Sequence, residues 1–457
     1  MTVGWESGVR AVRRLALALL LVTPSARTAA QAAHVAAQAD YVADVEFAIA
    51  EIEKQCGELL RAKEIDWRAV SAPILADAHA VHDTAGHLVV LTRLLARLHD
   101  GHCEVRTTPK SEGVQWPADP RGVQTGPGMF WCRSGGKIYV KNVWNEAERL
   151  GIAPGMEVLE VDGQPVAQWL EHRMAEIADR LSFSSPQQAF FFACTQGLAD
   201  FPGTKRTLVL KKPKGKKSER ELVYRSSNPT PWGPAFPPKV EAVTEAGDVR
   251  YGFTDKKWGY LHLRRAPEDL PDQVDRALEH VGTAKGLILD FRGNSGGGFD
   301  HDAFMGRFVP SGKTFPAASG ERVFSSAGAH PYGGPIVAIV DGTVRSAGET
   351  AAGLFKDDGR GYVIGESATA GMSSQKTEIE LPSGLFKLCV STATNMGRYN
   401  GGKGLEGIGV VPHRVVEFDP ADLEQGVDTL IRTAEELLAK FPQKDVRYDP
   451  KDFGWKR

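Results

Sequence analysis

Apolar residues recur at two different periods along the chain, and the change of period divides it. In YVADVEFAIAEIEKQCGELL (41–60) and HLVVLTRLLARLH (87–99) they return every three or four positions, the spacing of one face of an α-helix. Asp100-Gly101-His102 follows the second run and reads as a helix stop with glycine at the C′ position, with His99 on the helix surface. Residues 34–110 are therefore expected to form an N-terminal helical region. From about 115 to 213 the runs shorten: GKIYVKNVW (136–144) predicts a strand, and Asp162-Gly163 predicts a tight turn between two apolar strands. KKPKGKKSER (211–220) reads as a solvated hairpin tip, and the Pro-rich SSNPTPWGPAFPPK (226–239) as an extended linker. In the segment 240–437 the apolar runs lose their alternation. Gly286-Leu287-Ile288-Leu289 and Pro335–Val340 are continuous, as expected for strands of a sheet covered on both faces. LEQGVDTLIRTAEELLAK (423–440) predicts a closing helix, leaving 438–457 as a C-terminal tail.

Each continuous run leads into a segment with chemical potential. The first is followed by DFRGNSGGG (290–298), whose glycines let backbone N–H groups approach a ligand closely. The second is followed by DGTVRSAGETAAGLF (341–355), which turns into a helix at Ser346. A serine at such a turn beside a glycine-rich backbone supplies a nucleophile and an oxyanion hole, the parts needed for acyl transfer. The plainer alternative is a helix N-cap, with Glu349 three residues on completing a capping box.

Composition narrows the setting. A chain of 457 residues suggests about three domains, and a net charge of −2 argues against bulk electrostatic binding to nucleic acid or anionic lipid. Arg10, Arg13 and Arg14 precede LALALLLV (15–22) and small residues follow, the layout of a secretory signal peptide over 1–30 with Ala30 as the expected cleavage point. The apolar run is too short to span a bilayer, so no stable membrane insertion is expected after cleavage, and the mature protein is expected in the periplasm or outside the cell. The five cysteines, Cys56, Cys103, Cys132, Cys194 and Cys389, are scattered without metal-ligand spacing. Neither a metal nor an organic cofactor is expected.

The two chemical segments resemble the tail-specific peptidase family, which includes C-terminal processing peptidases and the tricorn core. DxRxNxGG is matched by Asp290, Arg292, Asn294, Gly296 and Gly297, and the nucleophile segment SAxE by Ser346, Ala347 and Glu349. WGYLHL (258–263) is similar to the family's first core strand, GYVIGESATAG (361–371) to its next strand and loop, and LEGIGVVP (405–412) to its closing IEGxGIxP, with His413 where Asp is usual. AERLGIAPGMEVLEVDGQPV (147–166) resembles a PDZ domain, whose backbone nest would here be formed around Gly128, Met129 and Phe130. The resemblance implies a multidomain α/β fold: a helical cap (34–110), a PDZ-like β domain (115–213), and an α/β catalytic core of the ClpP/crotonase-like type (240–437).

It also implies roles. Ser346 is the expected nucleophile, and backbone N–H groups of Ala347 and of Gly297 or Gly296 are the expected oxyanion hole. Where some members place a lysine base, this chain has Gly371, and the nearest lysine is Lys376. Strand alternation keeps Lys376 and Gln375 from facing the site together. LLARLHDGHCEV (94–105) is similar to the family's LxxLxDGHT, which points to His102 as general base, and GLEGIGVVP points to Glu406 as the carboxylate that orients it, in the manner of the tricorn-like members. Asp290 and Arg292 are expected to buttress the loop, and Glu349 to cap the helix or pair with Arg345 or Arg292. Unfolded or C-terminal polypeptides are the expected substrates. The alternatives are a Ser346–Lys376 dyad and a catalytically silent ligand- or peptide-binding protein on the same fold, as in interphotoreceptor retinoid-binding repeats.

Overall fold

The computed structural model describes residues 24–451, apart from positions 214, 232, 238–243, 319, 321, 395–398 and 450, and for 24–39, 244–246 and 394 it describes the backbone alone. The apolar run of the expected leader lies outside the described residues, as do the junction 238–243 and the last six residues. The expected cleavage point Ala30 falls within the helix Pro24–Ala62. No described helix is long and apolar enough to cross a membrane.

The continuous apolar runs form the centre of a sheet. Among the described residues it has seven strands, in the order Arg414–Val415, Tyr362–Gly365, Ile336–Val340, Leu287–Asp290, Gly259–Leu263, Val249–Phe253 and Thr244–Ala246. The first five are parallel and the last two antiparallel. Ile336, Ala338 and Val340 face one core with the helices Leu270–Val281 and Ala347–Asp357, while Val337 and Ile339 face another with Leu430, Ile431 and Ala434. A strand buried on both sides cannot alternate, which is why these runs are apolar throughout.

The closing helix is two helices, Pro420–Glu424 and Thr429–Leu438, broken at Gly426 (φ +68°). Asp428 caps the second, accepting from Leu430 and Ile431 N–H. The residues read as a tail return to the core. Phe441 and Tyr448 are buried in it, and the Arg360 guanidinium lies 3.8 Å from the Tyr448 ring centroid.

The N-terminal helices are Pro24–Ala62, Trp67–Ala78 and Thr84–Ala96, the second one starting on an Asp66 cap and not anticipated from periodicity. They do not close a core alone. Their apolar faces pack on Ile379, Leu388 and Val390 of a hairpin, Ser374–Glu380 and Phe386–Thr394, that belongs to the later part of the chain. Asp44 fastens that hairpin by accepting Ser383 N–H at 2.9 Å, and its other oxygen lies 3.0 Å from His87 Nε2. Strand Glu104–Thr107, just after His102, pairs with Phe386–Thr394. The His102 turn and the hairpin are thereby held side by side.

Between these parts lies a sheet in the order Met129–Ser134, Lys137–Val143, Glu157–Val161, Lys205–Lys211 and Lys217–Val223, with Gln164–Pro165 paired to the third. Asp162 and Gly163 both have positive φ, as a two-residue hairpin turn of this kind requires. The lysine-rich run falls on the last hairpin. The segment read as a linker is packed along its described residues: Ser226 pairs with Gly126, and the Ala235 carbonyl accepts from the Asn142 side chain at 2.9 Å.

Candidate active site

Ser346 ends the turn between strand Ile336–Val340 and helix Ala347–Asp357 with φ 56° and ψ −129°. A positive φ in a non-glycine residue is sterically unfavourable and persists only where the surroundings hold it. Here the Ser346 N–H donates to the Met372 carbonyl at 2.8 Å and to Glu349 Oε2 at 3.2 Å. Glu349 is fully buried and also accepts from Gly371 N–H (2.7 Å), Met372 N–H (2.8 Å) and the Thr369 hydroxyl. Burial pushes its pKa up to about 8, with these donors pulling it down and Glu406 pushing it up. Three backbone N–H groups and a hydroxyl suit an acceptor-only carboxylate, and the geometry favours the ionised form over what burial alone would dictate. Glu349 thus anchors the turn and the 369–372 loop and pairs with neither arginine.

Arg292 pairs instead with Asp290 (2.6 Å) and Asp428 (2.9 Å), all three buried, and Tyr260 donates to Asp290 at 2.9 Å. This triad fixes the base of the glycine-rich loop. Asn294 shapes its tip: its amide nitrogen donates to the Leu263 carbonyl at 2.8 Å and its side-chain oxygen accepts Gly296 N–H at 2.9 Å. Gly296 N–H is therefore engaged, which removes it as an oxyanion donor. Among the described residues, Gly297 N–H and Ala347 N–H carry no hydrogen bond. A Cβ on Gly296 would lie 2.7 Å from Ser346 Cβ and 3.2 Å from its Oγ, so only glycine allows the loop to sit against the serine.

The helix before His102 stops at Ala96, and the left-handed residue is His99 (φ 48°), not Gly101. Gly101 is required for space, since a Cβ there would lie 2.7 Å from Met372 Sδ. His102 is held by its N–H on Asp100 Oδ1 (2.8 Å) and by Ser374 Oγ, 3.2 Å from Nδ1. Among the described residues Nε2 carries no hydrogen bond. Burial first, then Lys376, Arg345 and Lys63, lower its pKa to about 4, with Asp100 opposing. The imidazole is accordingly neutral at physiological pH.

Glu406 lies in the same corner. Single ligand atoms of Asp100, His102 and Glu406 fall within 4.8 Å of one another, but Glu406 Oε1 is bonded to Lys63 Nζ at 2.8 Å and Oε2 accepts Ser373 N–H at 2.9 Å. Burial and Asp100 raise its pKa to about 7, and Lys63 opposes them. The Lys63 ammonium already supplies a cation beside this oxygen cluster. Lys63, Ser374 and Asp100 escaped the sequence reading. Only Asp100, inside the DGH turn, had a local signal, since the other two reach the site through tertiary packing.

Lys376 lies on strand Ser374–Glu380 opposite Ser391, with a β-bulge between it and Gln375. Both residues are exposed, so the expected alternation does not hold at this point. At the proposed nest, Met129 and Phe130 are buried and paired with Val143 and Asn142. Gly128 (φ +83°) packs so that a Cβ would meet the Trp144 carbonyl at 2.4 Å. The outer edge next to it is covered by the chain's own 194–200 segment: Trp131 N–H donates to the Cys194 carbonyl at 2.8 Å, and Thr125 pairs with Asp200. His413, in the place of the usual Asp, stacks on Tyr362 and accepts Val363 N–H at 2.9 Å.

Residues 257–416 match the family model for Peptidase family S41. A carboxy-terminal-processing protease of Bartonella bacilliformis is 28% identical over 218 residues, 43% of this chain and 46% of that protein. A chloroplastic C-terminal processing peptidase of Tetradesmus obliquus is 30% identical over 191 residues, 40% of this chain and 39% of that protein. The chain spans less than half the length of either relative. Mature CPAF is similar in fold, with a TM-score of 0.64 at 13% identity, covering 88% of this chain and 97% of that one. Its complex with lactacystin gives a TM-score of 0.60 at 14% identity, with 88% and 97% covered. The segment 257–416, which holds the glycine-rich loop, the Ser346 turn and Glu406, is thus the part of the chain that is similar to Peptidase family S41.

Proposed function

We propose that the protein is a serine endopeptidase acting on polypeptides through an acyl-enzyme on Ser346. The observation that carries this reading is the Ser346 turn itself: a serine held at positive φ against Gly296, beside N–H groups of Gly297 and Ala347 that carry no hydrogen bond among the described residues. In the reaction, Ser346 Oγ attacks the peptide carbonyl and its proton passes to neutral His102. Gly297 and Ala347 N–H donate to the oxygen that becomes negative. The C–N bond then breaks, His102 returns the proton to the departing amine, and water hydrolyses the ester by the same route. Glu406 orients His102 and offsets its positive charge, which requires the Lys63 contact to loosen or the two to act as one unit. The relatives named as C-terminal processing enzymes support a polypeptide substrate class. The leader-like N-terminus supports action outside the cytoplasm, and the PDZ-like domain would bind or gate substrate tails.

The test is hydrolysis of casein by the mature chain beside Ser346→Ala, His102→Ala and Lys376→Ala, with labelling of Ser346 by a serine-reactive phosphonate. Loss in the serine and histidine variants, with activity kept in the lysine variant, supports the reading. Loss with Lys376→Ala and survival with His102→Ala would replace the base. Neither hydrolysis nor labelling by the wild-type chain would favour a binding protein on the same fold.

A further inference from the structure

A cavity that reaches the residue before Ser346 contains a cation that the proposed chemistry does not use. Its volume is about 410 Å³, and it is lined by Phe183, Phe191, Phe192, Met372, Gly293 of the glycine-rich loop and Arg345. Arg345 immediately precedes Ser346. Among the described residues it has no acidic partner, although the buried arginines Arg292 and Arg360 are paired or bonded to carbonyls. The Arg345 side chain is exposed and can be reached from solvent. Lys376, on the neighbouring hairpin, is a second cation without an ion pair among the described residues, and both act on His102.

An exposed guanidinium without an acidic partner among the described residues, on the wall of a cavity that three phenylalanines also line, is open to an incoming anion. Its planar fork matches a carboxylate in two parallel hydrogen bonds, and the apolar walls strengthen that bond relative to open water. The ordinary anionic groups of an unmodified polypeptide are carboxylates, on Asp, on Glu or at the chain's end.

We propose that Arg345 is a specificity-determining residue that receives a substrate carboxylate in this cavity. The inference rests on the peptidase reading. Arg345 and the nucleophile are consecutive, and adjacent Cα atoms stand about 3.8 Å apart, so the carboxylate belongs within about two residues of the scissile bond. Both sources present the same group to the same fork, and the phenylalanines pack the aliphatic part of whichever residue carries it.

Paired quenched fluorogenic peptides test this. One set differs only by Glu against Gln at the two positions on either side of the cleaved bond. The other differs only by a free C-terminus against an amide two residues beyond it. The wild-type chain is expected to show kcat/KM about tenfold higher for the carboxylate-bearing member of one set, and the set identifies the source. In Arg345→Gln the ratio should fall to about one, in Arg345→Lys it should persist in weaker form, and in Arg345→Glu a Lys-bearing peptide should be favoured over Gln. Hydrolysis by the wild type with ratios of one throughout overturns the proposal, as does a ratio unchanged in Arg345→Gln. Failure to cleave any peptide, without phosphonate labelling of Ser346, overturns the peptidase reading and this inference with it.

Discussion

The nucleophile side and the histidine side of the cleft are built on opposite electrostatic plans. Around Ser346 every buried charge named here is matched: Arg292 lies between two aspartates, Glu349 faces four donors, and Asn294 is bonded at both ends of its amide. Around His102 the charges are uneven. Asp100 and Glu406 crowd one side, Lys63 offsets one of them, and Arg345 and Lys376 act from the other. The first half comes from consecutive strands and loops of one sheet. The second is assembled from an N-terminal turn, a late hairpin and the 405–412 loop. A preformed oxyanion site needs fixed dipoles, whereas a base must change charge in each cycle. The contrast is what the proposed division of labour would require.

The comparison breaks most severely at Arg292. In Arg292→Met, Asp290 and Asp428 are left buried without their cation, and removing one partner of such a set costs about 3–5 kcal/mol. The urea midpoint should fall by the corresponding amount at unchanged m-value. Activity should fall with it even under conditions where the variant is folded, because the glycine-rich loop loses its base.

On the other side, Lys63→Met removes the hydrogen-bonded ammonium from Glu406 and should cost up to about 2 kcal/mol where Glu406 is fully ionised, above about pH 8. Here the pH dependence carries the information. The folded pKa of Glu406, about 7, lies above its ordinary value of 4.5. Its contribution to stability is therefore full below about pH 4.5 and is lost as pH rises through 7. Without Lys63 that pKa moves higher still, so the gap between variant and wild type should be small at pH 5 and widen through pH 7 to 8 in thermal or urea melts. A gap of equal size at both pH values would mean that Lys63 acts by packing alone.

A smaller change is expected from Ser374→Ala, which removes the hydroxyl 3.2 Å from His102 Nδ1. A single neutral hydrogen bond is worth about 1 kcal/mol, or about fivefold in kcat/KM, and a stability loss of similar size is expected because the variant also removes the partner of the buried Ser391 hydroxyl. An effect near zero would leave Asp100 and the proposed Glu406 contact as the groups that set the ring.

The same division decides how much was legible in the sequence. The nucleophile side was readable because its parts follow their strands within a few residues: Leu287–Asp290 delivers the glycine loop, and Ile336–Val340 delivers Ser346. Even there, only the folded structure shows that Asn294 engages Gly296 N–H, since a side chain's choice among nearby amides leaves no pattern in the chain. On the histidine side likeness of motif points to His102 and Glu406, which the structure places in one corner, but it gives no sign of their partners. Lys63 is 343 positions from Glu406, and Ser374 is 272 from His102. The closing helix runs on in the sequence pattern because helical spacing continues across Gly426, whereas the structure breaks there and Asp428, at the start of the second helix, pairs with Arg292.

Lys376 gives the finest separation of the two plans, because it is exposed and its only expected influence on His102 is through space. Burial holds the His102 pKa at about 4, and the Lys376 charge pushes in the same direction. A histidine base works while neutral, so the acid limb of kcat/KM should lie well below the ordinary histidine range. Removing the cation in Lys376→Ala should move that limb to higher pH while leaving the rate at pH 8 close to that of wild type. The shift should shrink in high salt, which screens exposed charges but not the burial that dominates. Lys376→Arg, which keeps the charge, should not shift the limb. If Lys376 were instead the base, both substitutions would abolish hydrolysis across the whole pH range, since a guanidinium cannot take up the serine proton. A pH profile of three proteins therefore separates a lysine that tunes the histidine from a lysine that replaces it.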